Sequence, residues 1–167
     1  DFHVGKKQLK DILQHVINTH GTTTTAEVLD DIKATGYKYS TRAAMTVSIS
    51  EMTVPPIKKE LIANAEKKVE QITQNYYRGR STDEERHKNV IKVWQETDER
   101  LKDALLAGLD KYNNIFMMAD SGARGSNQQI KQLAGMRGLM AKPQKAGAEG
   151  AQIIENPILS NFKEGLS

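Results

Sequence analysis

The sequence predicts a mainly α-helical protein: two short helices, a long antiparallel helical hairpin that forms a coiled coil, and an irregular loop–helix segment with little β structure. Three observations support this fold class. Apolar residues recur every three or four positions over long stretches, which is the period of a helix face. A Thr or Ser precedes a Glu by three residues at two predicted helix starts, which is the spacing of a capping box. Glycines follow the predicted helix ends, where a left-handed residue commonly terminates a helix.

The first two helices are defined by their ends. A helix is predicted over Lys6–His20, and Gly21 stands at its C-terminal capping position. Thr24 and Glu27 have capping-box spacing for a second helix, which Gly36 is expected to end. Both helices are interpreted as structural.

The hairpin is predicted from an apolar seam and a short connection. A helix over Ile57–Arg78 is expected to end at Gly79, and Ser81 and Glu84 supply a capping box for a partner helix that runs to about Tyr112. The seam of the first helix consists of Ile57, Leu61, Ala65, Val69, Ile72 and Tyr76. The face of the second consists of Ile91, Trp94, Leu101, Leu105 and Leu109. So short a connection makes the two helices antiparallel.

Little β structure is expected. Residues 46–49 alternate like a short strand, and residues 153–155 form a second candidate. A loop is predicted over residues 141–152, immediately before the second candidate strand.

The stretch over residues 113–142 is the most distinctive in the chain. Gly122 and Gly125 bracket Arg124, and Ser126 can cap a following helix. An arginine on such a turn can present its planar guanidinium to phosphate or carboxylate. The alternative is an ordinary turn whose arginine is solvated. The stretch lacks the Gly-Lys-Ser/Thr of a phosphate-binding loop of the Walker type.

Composition excludes several classes of function. The net charge of +3 is too small to indicate nucleic-acid binding by itself. The absence of cysteine excludes disulfides and thiolate metal sites. The four histidines form no His-x-x-x-His pair, so a zinc site is not expected. No apolar run is long enough to span a membrane, and no signal peptide is visible.

The runs MMADSGARGS at residues 117–126 and QLAGMRGLMAKP at residues 132–143 resemble the F-loop region of the β′ subunit of bacterial DNA-directed RNA polymerase. The resemblance covers essentially all 167 residues but only a middle portion of a β′ subunit, so the chain is expected to be a piece of a larger protein. The loop over residues 142–152 is longer than is usual in this family.

The resemblance implies four segments. Residues 1–50 would form the helical base of the secondary channel, and residues 51–112 the antiparallel coiled coil of rim helices. Residues 113–156 would be the F-loop region, and residues 157–167 the start of a truncated bridge helix.

The resemblance also implies roles for individual residues. The residues expected to bind nucleotide are Arg124, Met118, Gln129 and Lys131. Those expected to support the active site are Arg137, Gly122 and Gly125. Those expected to bind factors at the hairpin tip are Tyr76, Tyr77, Arg78, Arg80, Asp83 and Glu84. Relatives often carry Arg in place of Lys131, and a lysine cannot make the bidentate contact of an arginine.

The implied function is that of a segment of a nucleotidyltransferase, bounding the nucleotide-entry channel and supporting the active site. The family's metal-binding motif is absent, so no catalytic residue, metal or cofactor is expected here, and the fragment alone would be inactive. The implied Mg²⁺ of the intact enzyme would be held elsewhere. The implied partners are the β, α, ω and σ subunits, incoming nucleoside triphosphates, and transcript-cleavage and regulatory factors, together with DNA and RNA, which are contacted through the whole enzyme. The implied location is the cytoplasm, at the bacterial nucleoid, and no membrane partner is implied. The alternative is a helical interaction module that docks such factors without nucleotide chemistry.

Overall fold

The computed structural model describes residues 2–142 and 152–165, and the predicted loop over residues 142–152 lies almost wholly outside them. Helices dominate the described residues, which confirms the predicted fold class. The helices are α1 (Lys6–Arg42), α2 (Lys58–Tyr77), α3 (Asp83–Gly108), α4 (Asn114–Asp120) and α5 (Asn127–Ala134). The chain divides into two compact units: residues up to Ser48 with Asp110–Ser126, and Ile49–Leu109 with the described residues from Asn127 onward.

In the first unit, α1 contains both predicted helices. Gly21 has φ 80° and ψ −177°, a backbone combination essentially restricted to glycine, so the predicted break at this residue is confirmed. The predicted cap at Thr24 is wrong, because Gly21 is the one non-helical residue inside α1 and Thr24 already lies in the helix. The predicted end at Gly36 is also wrong: the helix continues to Arg42. A glycine in a helix costs only about 1 kcal/mol relative to alanine, which the surrounding turns tolerate here.

The two predicted strands do not form. Residues 46–48 are irregular and lead into a 3₁₀ turn at Ile49–Glu51. Ile153 makes an isolated antiparallel bridge with Ala141, and Gly138 makes another with Ile158. Within the described residues neither of these bridges extends into a ladder of several pairs. A strand needs a neighbour along its whole length, and each bridge joins a single residue pair.

In the second unit, α2 and α3 pack as the predicted antiparallel hairpin. Ala65, Val90 and Trp94 form its buried centre, and Val69 and Ile72 pack against them. Ile57 does not extend the seam as predicted: it precedes α2 and is 43% exposed. The seam therefore stabilises the hairpin from the second turn of α2 onward.

The hairpin connection has the expected glycine but a shifted cap. Gly79 has φ 71°, and the amide of Arg80 donates to the carbonyl of Asn75. The predicted cap at Ser81 is wrong by one residue. Thr82 is the N-cap: its hydroxyl accepts from the amide of Glu85 at 3.2 Å, and the Glu85 carboxylate accepts from the amide of Thr82 at 3.1 Å. Both registers satisfy the sequence pattern, and the backbone geometry of the turn selects the second.

Candidate functional site

The loop that carries Arg124 follows a short helix with a well-formed start. Asn113 caps α4 by accepting the amides of Ile115 and Phe116 through its side chain, at 3.0 and 3.1 Å. After α4, Gly122 has φ 76°, and a Cβ on it would lie 2.8 Å from Cβ of Lys6. Only glycine therefore fits this turn against the start of α1.

The loop and α4 border an open cavity of about 560 Å³ in the first unit. This volume falls within the range of small-molecule sites. The lining residues are His3, Ser40, Met45, Lys111, Tyr112, Met117, Met118, Asp120, Ser121, Ala123 and Arg124. The wall combines thioether and aromatic surface with two permanent cations, a histidine and one carboxylate.

Arg124 and Met118, which were predicted together, lie together on this cavity. The amide of Arg124 donates to the carbonyl of Met118 at 3.1 Å, which anchors the arginine to α4. Arg124 is exposed, and its guanidinium makes no hydrogen bond or ion pair with another residue in the described part of the chain. Its five donors therefore remain available to an anion.

Lys131, also predicted to bind nucleotide, has a different environment in the second unit. It is only 4% exposed, and its ammonium donates to both carboxylate oxygens of Asp98, each at 2.8 Å. A nucleotide contact would require this pair to open. Gln129 lies exposed on α5, in the same unit as Lys131.

Arg137, predicted to support the active site, binds the segment that follows the long loop. Its guanidinium donates to the carbonyl of Ser160 at 3.2 Å, to the Ser160 hydroxyl at 2.6 Å and to the carbonyl of Gly165 at 3.4 Å. It also lies 5.5 Å from the ring centroid of Phe162. The half-buried side chain of Arg137 thus binds the segment over residues 160–165.

The predicted factor-binding residues gather at the tip of the hairpin. Tyr76 and Tyr77 have ring centroids 5.6 Å apart, and Tyr77 is 79% exposed. Arg86, which was not predicted, lies 5.7 Å from the Tyr76 ring and donates to Asp83 and Glu155, each at 2.9 Å. Arg78, Arg80 and Glu84 are exposed around the same turn.

A buried polar network around residues 157–165 was not predicted from the sequence. Lys58, 6% exposed, donates to Glu164 at 2.7 Å. Asn161 is fully buried and donates to the carbonyl of Gly135 at 3.1 Å. Asn161 and Glu164 also exchange the reciprocal side-chain bonds of a capping box, at 2.7 and 3.1 Å. The Asn-x-x-Glu spacing was the sequence signal that could have indicated this helix-starting arrangement.

Residues 2–142 and 152–165 contain no group of three or more His, Asp or Glu side chains that could hold a metal ion. No helix in the same residues is long and apolar enough to cross a bilayer.

Known proteins match nearly the whole chain. The family model described as RNA polymerase Rpb1, domain 4, matches residues 62–163, and the model for RNA polymerase Rpb1, domain 3, matches residues 2–52. The DNA-directed RNA polymerase subunit β′ of Lachnoclostridium phytofermentans is 64% identical over 166 residues, which cover 99% of the chain. The chain belongs to the bacterial RNA polymerase β′ family.

Other β′ subunits also match nearly the whole chain. That of Clostridium acetobutylicum is 55% identical over 99% of the chain, and that of Caldicellulosiruptor saccharolyticus is 52% identical over 100%. The chain spans only 13–14% of the length of these β′ relatives. The predicted family is thus confirmed, and the domain 4 match contains both Arg124 and the hairpin tip.

Proposed function

We propose that this part of β′ bounds the nucleotide-entry channel of a DNA-directed RNA polymerase and supports its active site during DNA-templated RNA synthesis. The observation that carries the proposal is Arg124. Its exposed guanidinium has no partner in the described part of the chain and lies beside Met118 on an open cavity. A guanidinium held in this way can bind the triphosphate of an incoming nucleotide by charge-assisted hydrogen bonds.

Support of the active site is proposed for the contacts around residues 157–165. Arg137 binds both Ser160 and Gly165, and the capping box of Asn161 and Glu164 begins one turn of helical bonding, in which the Gly165 amide donates to the carbonyl of Asn161. These bonds suit the opening turn of a bridge helix held by the F-loop. Gly122 and Gly125, with φ of 76° and 83°, would hold the Arg124 turn.

The α2–α3 hairpin would be the rim of the channel and would dock transcript-cleavage and regulatory factors through its tip. A second function, an interaction module without nucleotide chemistry, is favoured by Tyr77, which is 79% exposed at the tip. In the intact polymerase the partners would be the β, α, ω and σ subunits, nucleoside triphosphates, and DNA and RNA. Catalytic Mg²⁺ would be held by other parts of the enzyme, and the isolated chain would be inactive. The polymerase would act in the cytoplasm.

The test uses polymerase assembled with Arg124→Ala in its β′ subunit. Loss of one charge-assisted contact is worth about 1.5–3 kcal/mol, or roughly ten- to over a hundredfold in nucleotide use. Single-nucleotide addition by preformed elongation complexes measures KM and kcat separately. A rise in KM indicates ground-state binding of the triphosphate, whereas a fall in kcat alone indicates a contact made as pyrophosphate departs.

Arg100→Ala serves as the matched control, because Arg100 is an exposed arginine on α3. It should leave the kinetics of addition unchanged. If Arg124→Ala behaves like this control at limiting nucleotide, Arg124 is a solvated turn residue and the nucleotide proposal is abandoned. Retained factor binding in that case would favour the interaction module.

A further inference from the structure

The cavity beside Arg124 has a second cation to which no role has been assigned. Lys111 lies on the turn that precedes α4, and Arg124 lies on the turn that follows it, yet both side chains line the same cavity. Since α4 has seven residues, its ends are roughly 10 Å apart at 1.5 Å per residue. Two long cationic side chains can converge across that distance on one extended anion.

The turn that carries Lys111 is held by local bonds. The carboxylate of Asp110 accepts from the amide of Tyr112 at 2.9 Å, and the carbonyl of Asp110 accepts from the amide of Asn113 at 2.9 Å. The ammonium of Lys111 lies 4.8 Å from the centroid of the Tyr112 ring. This cation–π contact restricts the lysine side chain while leaving its three donors without a carboxylate partner in the described part of the chain.

The charges around the cavity favour an anion. Lys111 and Arg124 contribute two permanent positive charges, and Asp120 contributes the one carboxylate of the lining. A monovalent anion would need only one of the cations. A polyphosphate carries several charges along its length and can engage both cations at once.

We propose that Lys111 is a second phosphate-positioning residue, which acts with Arg124 on the triphosphate of the incoming nucleoside triphosphate. The proposal rests on the proposed function of this site. Lysine is a compact point charge without a fixed fork, so Lys111 would strengthen capture of the triphosphate rather than select one geometry at the transition state. Its effect therefore falls on KM for the nucleotide and leaves kcat unchanged.

The experiment measures single-nucleotide addition by assembled polymerase that carries Lys111→Ala. We expect KM for the nucleotide to rise about fivefold or more, which is the strength of one close charge pair in a solvated site. Lys111→Arg should restore KM because it keeps the charge. Raised salt should shrink the difference between Lys111→Ala and wild type, since exposed charges are screened, whereas a packing defect would persist.

Lys33→Ala is the matched control, because Lys33 is an exposed lysine on α1 in the same unit. It should leave KM and kcat unchanged. Unchanged KM in Lys111→Ala, together with a defect in Arg124→Ala, overturns the role of Lys111 and leaves the proposed function standing. A salt-independent loss of kcat in Lys111→Ala overturns it as well. Wild-type kinetics in both variants overturns the inference and the proposed function together.

Discussion

The buried ion pair between Asp98 and Lys131 leads to a prediction in which the two single substitutions have unequal effects. The pair joins α3 to α5, and the two side chains differ in their access to water: the side chain of Asp98 is 22% exposed, whereas that of Lys131 is 5% exposed. Asp98→Asn leaves the ammonium buried without a counter-charge. Lys131→Met removes the buried charge with little change of shape and leaves a carboxylate that water can reach.

The magnitudes follow from this asymmetry. An uncompensated buried charge costs about 3–5 kcal/mol, so we expect Asp98→Asn to lower the free energy of unfolding by that amount. Lys131→Met loses hydrogen bonds to a charged group but strands no buried charge, which corresponds to about 1.5–3 kcal/mol. The double substitution should cost less than the sum of the two, with a coupling of about 0.5–3 kcal/mol, because neither charge then remains.

Urea unfolding monitored by tryptophan fluorescence measures these differences directly. Trp94 is the single tryptophan of the chain, and it is buried in the same unit as the pair. The control is Lys88→Met, which breaks the exposed pair of Lys88 with Glu84 and should leave the urea midpoint unchanged. Equal destabilisation by Asp98→Asn and Lys131→Met, or additivity in the double variant, would refute the reasoning from burial.

Two further predictions concern the hairpin. Trp94→Asp should lower the thermal midpoint measured by circular dichroism, because a carboxylate would enter the cluster of Ala65 and Val90, whereas Lys67→Ala on the exposed face should not; an unchanged midpoint would contradict the proposed helix pairing. Glu155 accepts hydrogen bonds from His87 and from Arg86. These bonds, that from His87 first, outweigh the opposing effect of burial and hold the pKa of Glu155 below its usual value of 4.5. This stabilisation is present above that value and is lost as the pH falls below it. Glu155→Gln should therefore be less stable than wild type near neutral pH, and this difference should shrink as the pH falls below 4.5; parallel pH profiles would count against the contact.

Local patterns predicted much of the fold. The α2–α3 hairpin, the break at Gly21 and the helix after Ser126 all depend on neighbours within about four residues, which the sequence displays directly. The failures lie where local patterns are ambiguous. Gly36 is compatible with a helix interior, and the cap of α3 has two equivalent registers one residue apart.

The candidate site divides in the same way. Arg124 and Met118 are close in sequence, with a short helix end between them, so their proximity could be predicted. The network of Lys58, Glu164 and Asn161 could not, because the hydrogen bond from Lys58 to Glu164 spans 106 positions in the chain.

The sequence by itself determined the helical class, the hairpin and the glycine turn that carries Arg124, because each is a matter of residue type and short spacing. The family was indicated by the resemblance of residues 117–126 and 132–143 to bacterial β′ subunits. Only the tertiary structure decided how the basic residues of the motif differ. Lys131 is seven positions from Arg124 and also carries a positive charge, yet its ammonium is buried against Asp98, which lies 33 positions away on another helix. A charge is buried or free according to the elements that pack around it, and that packing is not encoded in neighbouring residues.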